Sequence, residues 1–568
     1  MPRHGGTIRC LRCRCLRDIA GPADPSIEAA RKRVTTTTLF NYSFSLTQPN
    51  PHAQVPPTMR KIVIVGGGSA GWMAAMTLAQ SLLPKGVEIV VLESPMVGII
   101  GVGEGSTPWL RGFFDSLGIE ETEWMPACHA TYKCGITFDG WSTKPGFESY
   151  FHPFASMLDN LTMTQFVHNA KARVNGVNLH AHPNRFFIAA TLADQHLAPK
   201  PSRNFPFDIW YGYHFDAVLL GQFLQKKAIE RGVQHKSCHV KQVQLNERGD
   251  IASVVTADGE TIAADFFVDC TGFAGLMIQQ ALKTPFVNFS SNLFNDAAIA
   301  MPTPIGEDIP SQTVSTAMKN GWAWKIPLTH RFGNGYVYSS AFCSADQAEH
   351  ELREHLGLLD SPTEARHLKM KVGRVTKHWN RNCLAVGLSQ GFIEPLEATA
   401  LLFIQRTVSN FVQYVEAGDI SEPAQARFNQ WINDLFEGTR DYIVTHYKTN
   451  SRSDTEYWRA NASNANLSEP LQQLFGLWMS GKSITTDVGR QTLGKGYPVF
   501  SWYCILSGMG IFPDIPALRA PTPKEARYNM AEIDNLIQRS ALNFSKQKDL
   551  LVAIPSKSRE ETLQIYFW

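Results

Sequence analysis

The run Lys61-Ile-Val-Ile-Val65-Gly66-Gly-Gly-Ser-Ala-Gly71, continued by Trp72-Met-Ala-Ala-Met-Thr-Leu-Ala-Gln-Ser-Leu-Leu83, decides the fold. A short β-branched stretch leads into a glycine-rich turn, and good helix-forming residues follow at once. Val87-Glu-Ile-Val-Val-Leu92 reads as a second buried strand and ends at Glu93. This is G-x-G-x-x-G in its working context: strand before, helix after, acidic residue about 20 positions on. Gly66 serves the tight turn, Gly68 lets the backbone approach a pyrophosphate, and Gly71 lets helix and strand pack closely. Ser69 and Ala70, between them, begin a helix whose free N–H groups and positive end suit phosphate. Glu93 suits ribose hydroxyls and disfavours a 2′-phosphate. The unit therefore predicts a dinucleotide site in an α/β fold.

NAD and FAD both use such a unit, and two later segments favour FAD. Asp265-Phe-Phe-Val-Asp-Cys-Thr-Gly272 is an apolar strand ending in a small-residue turn, suited to closing over the adenine end. Arg381-Asn-Cys-Leu-Ala-Val-Gly-Leu-Ser389 predicts another strand and turn followed by a long helix, placing N–H groups and Leu388 beside a flavin ring. There is no second dinucleotide fingerprint, so reduction of the flavin has no evident NAD(P)H site in this chain.

Around this unit lie 568 residues, 44% hydrophobic and 18% charged. That size excludes a peptide, a small disulfide-stapled module and a fibrous repeat. Fifty-three Lys+Arg against 51 Asp+Glu leave +2, so no whole-chain field calls for nucleic acid or an anionic membrane. No uncharged apolar run reaches 18 residues, so no membrane span is expected. Seven of the ten cysteines are scattered without repeated spacing, which reads as reduced thiols in a cytoplasmic protein. Cys10, Cys13 and Cys15 cluster without a fourth ligand nearby, and no metal site is expected.

Residues 1–58 differ from the rest. They carry +5, a run of four threonines and several prolines, and no apolar periodicity. They read as a disordered extension or as the product of a start codon assigned too early, with Met59 the natural start of the folded protein. An Arg-rich transit peptide is the other reading, and a secretory signal is excluded by the missing apolar core.

Several separated motifs, in order, give the chain a family likeness. They are Gly66 to Ala75, Gly101-Val-Gly-Glu-Gly-Ser-Thr-Pro108, His214-Phe-Asp216, Gly321-Trp-Ala-Trp-Lys-Ile-Pro327, Arg331 to Ser340, and Phe392-Ile-Glu-Pro-Leu-Glu-Ala-Thr399. From about Met59 to Pro513 the sequence resembles the flavin-dependent tryptophan halogenase family. The most specific element is W-x-W-x-I-P at Trp322, Trp324, Ile326 and Pro327, which related flavin hydroxylases lack.

The resemblance implies an FAD-binding Rossmann-like core, roughly 59–415 and assembled from discontinuous pieces. A mainly helical part from 416 to 568 would cover the substrate. It implies FADH2 delivered by a separate NAD(P)H-dependent reductase, a C4a-hydroperoxide formed with O2, and attack by chloride or bromide to give hypohalous acid. The acid travels through an internal passage to a lysine, which presents it to an electron-rich aromatic ring.

The resemblance also assigns residues. Lys133 matches the essential lysine, although composition alone reads it as an exposed strand residue. Its amine could act charged, polarising the oxidant, or neutral, as an N-halo adduct. Glu397 matches the glutamate that stabilises the cationic ring and takes its proton. Read locally, it is a carboxylate at a helix N-terminus. Glu394 suits local hydrogen bonding. Thr399 and Ala400 match the halide site, with Ala400 replacing the usual glycine. Val240, Gly272, Leu388 and Leu401 join the cofactor contacts. Trp322, Trp324, Ile326 and Pro327 line the passage wall, where the plain alternative is core packing.

Two departures bear on substrate. Ile484 to Pro498 is short and lacks most of the aromatic and acidic residues with which free-tryptophan enzymes hold the amino acid. Ile99 replaces a basic residue common near the flavin. Free indole, a substituted indole or a bulkier indole- or phenol-bearing molecule is therefore expected over free tryptophan, with Trp458, Trp502 and Tyr503 as candidate aromatics. A flavin hydroxylase and a non-catalytic flavin-binding regulator are the rival readings.

Overall fold

A computed structural model describes residues 59–98, 103–202 and 204–554. The expectations for residues 1–58, for Ile99, and for Gly101 and Val102 lie outside the described residues.

The fingerprint strand Lys61–Val65 lies inside a six-stranded sheet. In spatial order its strands are Trp379–Asn380, Cys383–Ala385, Phe266–Asp269, Lys61–Val65, Glu88–Glu93 and Gln234–Ser237. All neighbours run parallel except the first pair, a tight hairpin. Both faces of the central strands are covered, so Ile62, Val63, Ile64, Ile89, Val91 and Phe267 are all solvent-free. That explains the uninterrupted apolar runs. Helix Ser69–Leu82 follows the fingerprint and packs between helices Ala217–Glu230 and Ala400–Glu416.

A second, seven-stranded sheet is mostly antiparallel. Its order is Arg366–Lys369, Ala297–Pro304, Arg331–Tyr338, Gly321–Pro327, Thr313–Ala317, Gly135–Asp139 and Ser149–Pro153. A three-stranded ribbon, Gly103–Gly105, Gly212–Asp216 and Thr131–Lys133, lies against it. The contact is close: a β-carbon on Gly333 would stand 3.0 Å from the Gly103 Cα. Only glycines let the two backbones approach this way.

From Ala400 to Ile554 the described secondary structure is helical apart from the short strand Phe544–Lys546. The starts are chemically explicit. Ser421 and Ser468 each precede a Glu-Pro pair and accept a hydrogen bond from the backbone N–H three residues on. Each such cap is worth about 1 kcal/mol. Helix Ala400–Glu416 buries Leu401, Ile404, Val408, Phe411 and Val415 on one face, the spacing of an amphipathic helix packed on a core.

One local expectation needs correction. The strand at Cys383–Ala385 does not run through a turn into a helix. A 3-10 turn at Gly387–Ser389, the two-residue strand Gly391–Phe392 and a second 3-10 turn at Pro395–Glu397 intervene before Ala400. The second turn ends at Ala398 in the left-handed region, φ 55°, with no glycine to announce it.

The seven described cysteines are free thiols. Among the described residues no helix is long and apolar enough to cross a membrane.

Candidate active site

Three turns meet at the carboxyl edge of the parallel sheet, where such sheets bind ligands. The first is the fingerprint. Gly66 has φ 116°, and a β-carbon there would fall 2.2 Å from the Cys270 carbonyl oxygen. A β-carbon on Gly71 would fall 1.9 Å from the Gly66 oxygen. Above Gly68 there is open space, and it precedes helix Ser69–Leu82 without a side-chain cap. The Ser69 hydroxyl donates to the Ala217 carbonyl at 3.1 Å, which leaves the first-turn N–H groups to face the opening. The second turn follows Phe266–Asp269 and carries Gly272, φ 68°, with nothing beside it. The third carries Gly387 and Leu388; a β-carbon on Gly387 would lie 2.7 Å from the Ala70 Cβ.

Glu93 ends its strand with Oε2 accepting from Gln225 Nε2 at 3.1 Å and lying 3.0 Å from His235 Nε2. Val240 packs in the core cluster with Val65 and Leu92 beneath this edge. The open space at Gly68 and the uncapped helix start fit the pyrophosphate of FAD.

Lys133 closes its strand with no exposure at all, and its Nζ has no hydrogen-bond partner among the described residues. A β-carbon on Gly105 would lie 3.1 Å from that nitrogen. The Phe154 ring centre is 5.5 Å from it. Burial brings the lysine pKa down to about 7, against the pull of Glu397.

His214, also fully buried, bonds Thr131 Oγ1 through Nδ1 (3.1 Å) and Thr313 Oγ1 through Nε2 (2.9 Å). Thr131 spends its own proton on the Pro327 carbonyl, at 2.8 Å. His214 therefore donates from Nδ1 and accepts at Nε2, as a neutral imidazole. Burial, with Lys133 nearby, holds its pKa well below the ordinary value. This chain of bonds ties the lysine strand to the end of the tryptophan strand.

Glu397 is buried, and its carboxylate turns away from the following helix. His152 Nδ1 lies 3.1 Å from Oε2, and His152 Nε2 lies 3.0 Å from Ser501 Oγ. His446 Nε2 lies 3.2 Å from Oε1 without a well-aligned hydrogen bond. The same nitrogen is 3.1 Å from the Tyr150 hydroxyl, while His446 Nδ1 is 3.1 Å from the Tyr442 carbonyl. Burial pushes the glutamate pKa up, but the two histidines outweigh it and hold it down at about 2. The helix-cap reading of Glu397 is thus replaced by a carboxylate between two imidazoles.

Thr399 sits at the cap of helix Ala400–Glu416, yet its Oγ1 makes no capping bond and is buried without a partner. A 17-residue helix start with an orphaned buried hydroxyl fits a small anion. Leu401 is buried one residue further on.

Trp322, Trp324 and Ile326 share one face of their strand, and all three are buried. The two indole rings are 6.2 Å apart. Trp458 and Trp502, two of the candidate substrate aromatics, are fully buried and donate their indole N–H to the Met318 and Gly494 carbonyls. Tyr503 pairs with Thr485 at 3.2 Å. The aromatic ring that faces the Lys133 amine is instead that of Phe154.

The sequence reading missed Phe154, His152 and His446. The first two stand in Tyr150-Phe-His-Pro-Phe154, on and just after an edge strand, where nothing in the spacing signals a partner 245 residues away.

Comparison with known proteins shows the family. The tryptophan halogenase family model matches residues 61–522. The tryptophan 6-halogenase SttH of Streptomyces toxytricini is 36% identical over 512 residues, covering 83% of this chain and 94% of SttH. The tryptophan 7-halogenase RebH of Lentzea aerocolonigenes is 34% identical over 527 residues, covering 87% of this chain and 97% of RebH. The crystal structure of SttH superposes with a TM-score of 0.77, covering 87% of this chain and all of that one. Tar14, a tryptophan C-6 flavin-dependent halogenase (chlorinase), gives 0.75 at 32% identity over 87% of this chain and 99% of its own. The hydroxylase and regulator readings are not favoured. The chain belongs to the flavin-dependent tryptophan halogenase family, and it is an oxidoreductase that uses reduced FAD to halogenate an aromatic ring.

Proposed function

We propose that this enzyme halogenates indole or a molecule bearing one in preference to free tryptophan, with chloride or bromide, at Lys133 and Glu397. The observation that carries the catalytic assignment is the solvent-free, unpartnered amine of Lys133 within the field of a buried carboxylate. Gly66, Gly68, Ser69, Ala70, Gly71, Glu93, Gly272 and Leu388 would hold FAD, with Val240 and Leu401 supporting it. The reduced flavin, supplied by a separate NAD(P)H-dependent reductase, brings with O2 the two-electron oxidant that converts halide to hypohalous acid.

Thr399 and the N–H groups at Ala400 would hold the halide, and Trp322, Trp324, Ile326 and Pro327 would wall the passage. At the far end the Lys133 ammonium donates a hydrogen bond to the hypohalous oxygen. As the ring carbon bonds the halogen, the oxygen–halogen bond breaks and the departing hydroxide takes a proton from Lys133, leaving as water. Glu397 stabilises the cationic ring and takes the ring proton. Passing it back to Lys133 restores both groups.

The substrate reading rests on the segment before Val499. Gly494 there, φ 59°, meets the N–H edge of Trp502, where a β-carbon would stand 2.4 Å from the indole nitrogen. Tyr497 stacks on Tyr442 at 3.7 Å. These two residues are spent on packing, and neither is left to hold an amino-acid head.

A panel of indoles, phenols and tryptophan, supplied with FAD, a reductase, NADH and either halide, tests it by product isotope pattern. Indole or a substituted indole should exceed tryptophan in kcat/KM. A higher value for free tryptophan would overturn the substrate assignment.

A further inference from the structure

Of the acids on the loop before helix Ala400–Glu416, Glu394 has the denser network and no part in the proposed reaction. It is fully buried. Its Oε2 accepts from Trp322 Nε1 at 2.8 Å, Asn295 Nδ2 at 2.9 Å and the Tyr447 hydroxyl at 2.5 Å. The Tyr447 oxygen accepts in turn from Asn295 Nδ2 at 2.8 Å, and Asn295 Oδ1 accepts from the Tyr457 hydroxyl at 3.0 Å. Three donors on one oxygen require an acceptor with no competing proton, which a carboxylate or an amide carbonyl supplies. Each donor sits on a different element. Trp322 is on the wall strand, Tyr447 is in the last turn of the long helix Glu422–Lys448 next to His446, and Asn295 precedes strand Ala297–Pro304.

The two wall tryptophans are therefore held differently. Trp322 is pinned through its N–H. Trp324 has no partner for its N–H among the described residues and is held by packing over Gly335, where a β-carbon would stand 2.0 Å from its ring. Glu394 lies three residues before Glu397 and five before Thr399, so one carboxylate ties the wall to the loop that carries both.

We propose that Glu394 is a positioning residue: by gripping the Trp322 N–H it holds the wall in register with the loop bearing Glu397 and Thr399, and so sets the fraction of oxidant that reaches the aromatic substrate. This rests on the halogenase reading above. Without the grip, three buried donors lose their acceptor and the tryptophan edge is free to rotate. Oxidant then escapes or is spent before it meets the ring.

The test is the ratio of halogenated product to reduced flavin consumed, with escaped hypohalous acid captured by monochlorodimedone in the bulk. Glu394→Leu should lower the ratio about tenfold, with KM for the aromatic unchanged and trapped halogen increased. Glu394→Gln keeps a carbonyl acceptor and should stay within about twofold of the parent. Trp322→Phe, which keeps a ring but removes the N–H, should match the Leu variant, and the double variant should be no worse than either alone.

A readout apart from turnover is the 15N spectrum of labelled tryptophan side chains. The indole resonance that vanishes in Trp322→Phe should move upfield and lose exchange protection in Glu394→Leu. Coupling equal to the parent in Glu394→Leu, multiplying losses in the double variant, or an unmoved indole resonance would each overturn the proposal. Should the parent halogenate no aromatic at all, the functional reading falls, and the coupling role with it, even where the indole resonance moves as described.

Discussion

At the scale of single residues, Lys133 shows what burying an amine costs the fold. A lysine with no exposure and no acceptor for its protons is held in its charged form only against desolvation. Its pKa falls from 10.5 to about 7. Below about pH 7 both folded and unfolded chains carry the charge, so the folded state bears the full penalty. The penalty shrinks as pH rises and is gone above 10.5, where the unfolded lysine is neutral too. At neutral pH the shift corresponds to roughly 4 kcal/mol as an upper figure. Lys133→Leu should therefore be more stable than the parent at pH 7, by about 1–4 kcal/mol in urea unfolding, and the gain should shrink toward pH 10. A loss of stability at pH 7 would mean that the amine is satisfied in solution. Nothing in Thr131-Tyr-Lys-Cys announces this burial. The groups that enclose the amine, Gly105, Phe154 and Glu397, come from other parts of the chain, and desolvation is a property of their assembly.

At the scale of elements, the wall strand Gly321–Pro327 depends on its neighbour Arg331–Tyr338. Trp324 lies over Gly335, its ring in the volume that a side chain there would occupy. Gly335→Ala should push the ring off its place, cost about 1–3 kcal/mol in thermal or urea unfolding, and lower product per flavin consumed. Unchanged stability and coupling would show that the ring does not rest there. This element was legible beforehand because strand alternation is local: residues two apart share a face, and Trp322, Trp324 and Ile326 do. The fingerprint from Lys61 to Glu93 was legible for the same reason, its glycines being required by backbone contacts within the unit or with the next strand. The segment from Gly387 to Thr399 was not. Its turns end on Ala398 in a left-handed conformation that alanine does not advertise, and its glutamate finds His152 and His446 on distant elements instead of the adjacent helix.

At the scale of the whole molecule, two regions come together: a crevice at the carboxyl edge of the parallel sheet, where the flavin is proposed to bind, and the buried amine of Lys133 with Glu397 beside the antiparallel one. The ribbon Gly103–Gly105, Gly212–Asp216 and Thr131–Lys133 links them, and the His214 hydrogen bonds fix its lysine end to Pro327. Family membership carries the use of reduced flavin and the halogenation of an aromatic. The division of labour between making the oxidant and spending it is what this chain's own residues must supply, and on the proposed assignment Lys133 is where the two meet. The direct measurement is product and trapped hypohalous acid from Lys133→Leu, reduced flavin, oxygen and bromide, compared with the parent. The expected outcome is unaltered FAD binding and flavin oxidation, trapped halogen in the bulk, and no halogenated aromatic. Halogenated product at the parent rate from that variant would contradict it.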